Sequence, residues 1–293
     1  MDIHFLKTVW SDIIILQEGQ HFAMIDTGMA DQFPQIKAFL DRHGASSLDF
    51  ILLTHFHRDH YGSVPALLDT YPVGKVILKE YSGLDCRTAW GTEADDAYRT
   101  GEMEKYCALQ ALAREKSELL QAEQLNELFF CGVRLQLFNT ANSVRAIFND
   151  PAYPETYHQY AFSENQNSLA IYMEAEGVSM FLGGDIQDAP SAQPLANYMN
   201  TRIAAEIGKH VDIYKAPHHG TPHTGTPDAI KVYRPDLVIV TNGLEYLHQY
   251  SDLLEIIGTN APQAQIVLTE DADVTVSLKD HRFTCQIHKN QAS

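Results

Sequence analysis

The chemistry in this chain is concentrated in Thr54-His55-Phe56-His57-Arg58-Asp59-His60-Tyr61-Gly62, where four strong metal-binding side chains fall within six residues. Imidazole and carboxylate together suit zinc, with manganese or iron as alternatives. On one loop, His55 and His57 can point the same way and grip one ion, while Asp59 and His60 turn to a second beside it. A polar loop that merely happens to be rich in histidine is the plainer reading. Three of the chain's fourteen histidines at this spacing, directly behind an apolar run, favour the metal reading. Two further stretches carry ligand-type residues. Gly183-Gly184-Asp185 offers a carboxylate where two glycines allow close backbone approach, or simply a turn. Ala216-Pro217-His218-His219-Gly220-Thr221 offers two imidazoles, one of which should complete a second metal, with His223 as a weaker candidate.

These residues need elements to aim them. Phe50-Ile51-Leu52-Leu53 reads as a buried strand and Ser63-Val64-Pro65-Ala66-Leu67-Leu68 as the first turns of a helix. The histidine cluster therefore belongs on a loop at the C-terminal end of a strand, where α/β sheets place their chemistry. Residues 3–10 and 12–18 read as strands, and Phe22 to Ile25 as a third running into Asp26-Thr27-Gly28. Phe33 to His43 has helical spacing, and Val73 to Leu78 returns to strand. Residues 93–123 form the longest helical stretch, with Leu119 and Leu120 among its apolar positions; nearby Trp90 and Tyr98 line a pocket or join the core. Residues 129–138 read as a hairpin. Residues 139–166, with Tyr153, Tyr157, His158 and Tyr160, form a long aromatic loop read as a wall of the substrate site. Ser168–Met173 and Val178–Leu182 pair as strands, the second ending at Asp185. A helical region over about 188–208 precedes the strand Val211–Lys215, which ends at the His218-His219 pair. Asp236–Val240, a helix from Leu253 to Ile257, and short strands at 266–268, 274–276 and 283–285 close the chain. No repeat or linker is visible, so one domain over 1–293 is expected, with two strand-rich halves suiting a pseudo-symmetric sandwich.

Composition narrows the function. The 293 residues are 45% hydrophobic, ample for a core, and carry 21 basic against 38 acidic side chains, a net charge of −17. Such a surface repels long nucleic acid, membrane headgroups and other anions at a distance, while bound divalent metals would reverse the field locally. A small or short anionic substrate is therefore the expected partner, and oligomeric state is unreadable. Cys86, Cys107, Cys131 and Cys285 show no paired spacing, as for reduced thiols. With no readable signal peptide and no apolar run of membrane-spanning length, a cytoplasmic location is expected.

The His55-x-His57-x-Asp59-His60 motif resembles the signature of the metallo-β-lactamase-fold hydrolases. The resemblance implies an α/β fold, an αββα four-layer sandwich of two mixed β-sheets holding one or two metals along one edge. It implies that His55, His57, Asp59, His60, Asp185 and His219 are the metal ligands, with Asp185 bridging two divalent ions, zinc expected and manganese the alternative. Asp59 would double as a catalytic residue. Asp26 would lie beneath the site, accepting the free N–H of a ligand histidine, or be an ordinary turn residue. His218 would face substrate or act as an acid, and the roles of His218 and His219 could be exchanged. Asn167-Ser168-Leu169, Gly183-Gly184-Asp185, the His-His-Gly motif and Asn242 to His248 resemble, in that order, the hydrolase domain of competence-type DNA-uptake proteins and the phosphorylcholine esterases. That branch places a histidine at His248, which touches substrate or is a plain surface residue. About 80–125 and 141–166 look like insertions. One departure stands out: where many members supply a third histidine to the first metal, this chain reads Asn139-Thr140-Ala141-Asn142-Ser143. His158, or water, would have to stand in. The implied activity is binuclear metal-dependent hydrolysis of a phosphodiester or phosphoryl ester; a carboxyl-ester, lactone or thioester hydrolase and a non-catalytic binding module are the rivals.

Overall fold

The computed structural model describes residues 1–85, 92–149, 163–188 and 199–289. Strands β1 (Asp2–Phe5), β2 (Ile13–Glu18) and β3 (His21–Thr27) pair antiparallel in sequence. From β3 the sheet continues in parallel through β4 (Leu48–Leu52), β5 (Val73–Leu78) and β6 (Glu118–Gln121). Parallel neighbours need crossovers, and these carry α1 (Phe33–Arg42), then α2 (Arg58–Tyr61) and α3 (Val64–Thr70), then α4 (Glu93–Lys116). The second half repeats the plan. Antiparallel β7 (Glu127–Phe130), β8 (Val133–Phe138), β9 (Ala170–Ala175) and β10 (Val178–Leu182) lead into parallel β11 (Ile213–Lys215), β12 (Leu237–Val240) and β13 (Gln265–Leu268). Helix α5 (Ser143–Phe148) lies between β8 and β9, and α6 (Met199–Ile207), α7 (Pro227–Tyr233), α8 (Leu244–Tyr250) and α9 (Leu253–Asn260) fill the later crossovers. A final hairpin, β14 (Ala272–Lys279) and β15 (Arg282–Lys289), returns to the first sheet, where β14 pairs with β1 in the register Ile3↔Val276. Among the described residues the sheets run β15-β14-β1-β2-β3-β4-β5-β6 and β13-β12-β11-β10-β9-β8-β7.

The strands show why the sequence stacks four layers. In β2, Ile14 and Leu16 face the other sheet while Ile13 and Ile15 face the helices α1 and α3; in β12, Leu237 and Ile239 face inward and Val238 and Val240 outward. Both faces of each central strand are thus apolar, as expected for strands covered on two sides. The result is a core between the sheets and one under each helical layer, the αββα arrangement expected.

Three local expectations differ. The helix foreseen over 93–123 stops at Lys116, where Ser117 turns extended, and β6 follows. Leu120 packs into the core between the sheets and Leu119 into the outer one, an alternation of two that was mistaken for helical spacing. Residues 143–148 of the expected loop are helical, and α7 appears where no element was assigned. Its signal was Thr226-Pro227: the Thr226 hydroxyl accepts from Ala229 N at 3.3 Å and proline occupies the first turn. Trp90, Cys86, His158, the loop tyrosines at 153, 157 and 160, and much of the span 188–198 lie outside the described residues.

The two halves meet at a buried ion pair. Residues 7–12 leave the first sheet and cross to the second, with Thr8 N donating to Thr269 O and Trp10 N to Thr241 O, each at 3.1 Å. Trp10 takes a left-handed φ of 64° to make the bend. Behind it, Asp12 pairs with Lys215 at the end of β11, with side-chain exposures of 1% and 0%. Breaking such a pair strands a buried charge, so Lys215→Met should lower the unfolding free energy by about 3–5 kcal/mol in urea titrations; no change would reject this role. His4, in β1, is packed against Phe39 and bonded to Thr275 and Gln17. Burial pushes its pKa down to about 4 from 6.5, against the Gln17 bond. Between those values the unfolded chain binds more protons, so this histidine withdraws stability as pH falls through the window, by about 3 kcal/mol in full. The His4→Gln variant should therefore lose less stability than the parent between pH 7 and pH 4.5.

Candidate metal centre

The sequence-predicted residues arrive from strand ends on both sheets. Asp26 is the penultimate residue of β3; His55, His57, Asp59 and His60 follow β4; Asp185 follows β10, and His218 and His219 follow β11. Asp26 adopts a left-handed φ of 58°, an uncommon conformation for a non-glycine residue. It turns its carboxylate beneath the loop, where Oδ1 accepts from Thr54 N at 2.8 Å and Oδ2 lies 2.7 Å from His60 Nδ1. Gly184 is required for a different reason. At φ 52° a Cβ there would sit 2.7 Å from Leu169 O and 2.9 Å from Thr54 Cβ, so only glycine lets the Asp185 loop press against the histidine loop.

Every expected ligand histidine has its outer nitrogen anchored. His55 Nδ1 lies 3.1 Å from Thr54 Oγ1, and His57 Nε2 lies 2.9 Å from Asp85 Oδ2. His60 Nδ1 meets Asp26, and His219 Nδ1 lies 2.9 Å from Thr241 Oγ1 and 3.2 Å from Asp12 Oδ1. Such partners fix ring orientation and tautomer in metal sites. The inner nitrogens converge on one carboxylate oxygen: from Asp185 Oδ2, His60 Nε2 lies at 3.1 Å, His219 Nε2 at 3.6 Å and His55 Nε2 at 3.7 Å. His55 Nε2 is also 2.9 Å from His57 Nδ1, and Asp59 Oδ2 is 3.3 Å from His219 Nε2 and 3.6 Å from His60 Nε2. Asp59, His60, Asp185 and His219 each offer a ligand atom within 4.8 Å of the others. Two atoms in this knot, His60 Nε2 and Asp185 Oδ1, are buried with no hydrogen-bond partner. Buried polar atoms are rarely left so, and a divalent cation is the partner that fits this donor set.

The electrostatics agree. Burial works against charging His60, but Asp185, Asp26 and Asp59 outweigh it and hold its pKa well above the ordinary value. Against the same opposing burial, Asp185 and Asp12 lift His219 to about 9, and Asp85 lifts His57 to about 9. Burial and the neighbouring His60 instead drive His55 well below its usual range. Asp185 stays well below the carboxylate range despite burial, because His60, His219 and His218 surround it. A field that retains protons on buried imidazoles is one that favours a cation; a metal entering would displace those protons.

His218 lies on the other flank, its Nε2 3.9 Å from Asp185 Oδ2 and 3.0 Å from Asn165 Nδ2. His248 is not brought in. It is exposed on α8, and among the described residues no hydrogen bond or ion pair joins it to the cluster. Among the described residues His223 bonds through its backbone, Asp188 N donating to its carbonyl. Asp12, Thr54, Asp85 and Thr241, which hold the rings, went unnoticed in the sequence. Asp12 had one faint signal, a carboxylate directly before an all-apolar strand; Asp85 had none. Beside the cluster opens a cavity of about 620 Å³ lined by His57, Arg58, Asp59, Asp85, Tyr98, Glu102, Lys105 and Ser163.

Comparison with known proteins is consistent with this geometry. Residues 11–119 match the family model of the metallo-beta-lactamase superfamily. The chain is 22% identical to ComE operon protein 3 of Bacillus subtilis (strain 168) over 243 residues, 82% of this chain and 26% of that protein. A 90-residue stretch is 30% identical to the uncharacterized protein YobT of the same strain, covering 27% of this chain and 38% of that one. The chain thus spans well under half the length of these relatives. Zn(2+)-bound PqqB from Methylobacterium extorquens superposes with a TM-score of 0.55 at 12% identity, covering 95% of this chain and 100% of that one. The metallo-beta-lactamase fold protein YhfI from Bacillus subtilis gives 0.52 at 9%, covering 91% and 95%. These two likenesses are of fold. With the motif, the match over residues 11–119 and the sandwich in agreement, the chain carries a metallo-beta-lactamase superfamily domain, and the likeness to ComE operon protein 3 supports the branch.

Proposed function

We propose that this protein is a hydrolase of phosphodiesters or other phosphoryl esters, working with two divalent cations, zinc foremost. The observation that carries the reading is the convergence of His60 Nε2, His219 Nε2 and His55 Nε2 on the buried Asp185 carboxylate, whose Oδ1 has no hydrogen bond, with His57 and Asp59 alongside and an open cavity next to them. His55, His57 and Asp185 would hold one cation, and Asp59, His60, His219 and the shared Asp185 the other. When bound, such ions lower the pKa of water toward about 7 and neutralise charge that builds on the reacting group. The chain's own residues do the rest. Asp59 belongs both to the cluster and to the cavity wall, where it can take the proton of an attacking water. Arg58, which makes no ion pair among the described residues, and Lys105 set positive charge on that wall. Lys105 is paired with Glu102 at 2.7 Å, and Asp59 and Asp85 share the wall, so Arg58 is the side chain placed to meet phosphoryl oxygens and bound divalent ions would supply the remaining positive charge. The net charge of −17 argues for small or short substrates over long nucleic acid, and a cytoplasmic setting fits them.

Three outcomes follow. In a panel of chromogenic phosphodiesters and lactones supplied with zinc or manganese, phosphodiesters should be cleaved and a chelator should stop the reaction. Arg58→Ala should lower kcat/KM on the anionic substrates by roughly 10- to 100-fold, as loss of a charge-assisted bond does. Turnover of lactones alone would overturn the assignment. Asp26→Asn, which keeps the side chain's shape but weakens its hold on His60, should reduce affinity for one of the two metals by about 10- to 100-fold in competition titrations.

A further inference from the structure

Neighbouring residues in an extended chain send their side chains to opposite faces. After β11 the backbone does otherwise: His218 (φ 45°, ψ 46°) and His219 (φ 55°, ψ 22°) are both left-handed, and Gly220 follows at φ 75°. Two consecutive non-glycine residues in this region are disfavoured and persist only when the surroundings enforce them. Here His218 N donates to Gly184 O at 2.9 Å, Thr221 N to His218 O at 3.0 Å, and Asn242 Nδ2 to His219 O at 3.1 Å. The turn brings adjacent rings to the same carboxylate, with centroids 5.9 Å apart. Delivering His219 alone would not require His218 to be turned as well.

His218 also has the pattern of the other rings. Its Nδ1 is anchored 2.7 Å from Thr221 Oγ1, which leaves Nε2 with its lone pair inward, 3.9 Å from Asp185 Oδ2 and receiving the Asn165 amide at 3.0 Å. The loop after β8, where a third histidine was looked for, is committed elsewhere. Asn139 Nδ2 donates to Gln166 O and Ser168 O, Asn142 Nδ2 to Glu80 O, and Ser143 Oγ to Gln166 O.

Resting on the metal reading above, we propose that His218 is the third imidazole of the first cation position, so that the tandem His218-His219 gives one ring to each of two adjacent metals. The first position is then His55 Nε2, His57 Nδ1, His218 Nε2 and the shared Asp185, a nitrogen-rich set of the kind that zinc takes. The missing histidine is supplied from the opposite sheet.

The test is metal content and affinity of the purified full chain, with Zn(II) and then Co(II) as probes. His218→Asn keeps a residue that tolerates left-handed backbone but removes the imidazole; His218→Cys restores a ligand. Distant anchors already change affinity 10- to 100-fold, so removing a ligand should weaken one of the two binding events by at least about 100-fold and leave the other intact. His218→Cys should recover the second equivalent and add a thiolate-to-cobalt absorption band. Metal-free parent and variants should unfold at the same temperature, separating ligand loss from misfolding. Two equivalents bound by His218→Asn with parental affinities would overturn the inference, as would a single equivalent in the parent that His218→Asn leaves unchanged. A parent that takes up less than half an equivalent of either metal would instead overturn the metal reading beneath it.

Discussion

A carboxylate buried between two sheets needs compensation, and much of this molecule supplies it to Asp12. Lys215 brings the ammonium, Thr241 Oγ1 donates at 2.6 Å, and His219 Nδ1 stands 3.2 Å away. The three partners come from the end of β11, the end of β12 and the turn between them, whereas Asp12 precedes β2 in the other sheet. Desolvating both charges offsets most of their attraction, so the pair contributes alignment more than net stability. A slide of one sheet past the other separates the charges and frees the ring of His219 together.

The two halves share a plan, and the plan explains where the candidate ligands sit. In each, antiparallel strands give way to parallel ones, at β3–β4 and at β10–β11. Each change opens a gap at the C-terminal strand ends, the position where α/β sheets accept ligands. Asp26 lies at the end of the strand before the change and Asp185 in the loop just after it, and the histidine loops follow the next strand in each half. The correspondence is only in position. Asp26 turns under the loop to steady His60, while Asp185 faces the rings of both halves, which makes it the hub of the cluster.

Much of this was legible in the sequence because it is local. Contiguous ligand types behind an apolar run reveal the His55–His60 loop, and strand-end motifs reveal Asp185 and the His218-His219 turn. The alternation of apolar residues gave both hairpin-rich halves. What escaped depends on contacts between distant segments. Asp12 and Asp85 are ordinary acidic residues until the fold brings them to His219 and His57. Strand β6 escaped because Leu119 and Leu120 continue a helical pattern, and only pairing with Ile77 and its neighbours makes them a strand. For His248, offered as a substrate contact or a surface residue, motif order could not say which face of α8 the side chain occupies; it is exposed there.

The closing hairpin carries a consequence for biogenesis. Strand β1 has β14, more than 260 residues later, as its outer neighbour, so Ile3 waits for Val276 before that edge is covered. Until then the nascent chain presents an apolar ribbon with open backbone groups, the condition that invites mispairing. Such long-range closure is also slow. Mispairing of that edge before β14 is made, rather than fragility of the finished sandwich, is the hazard this topology carries.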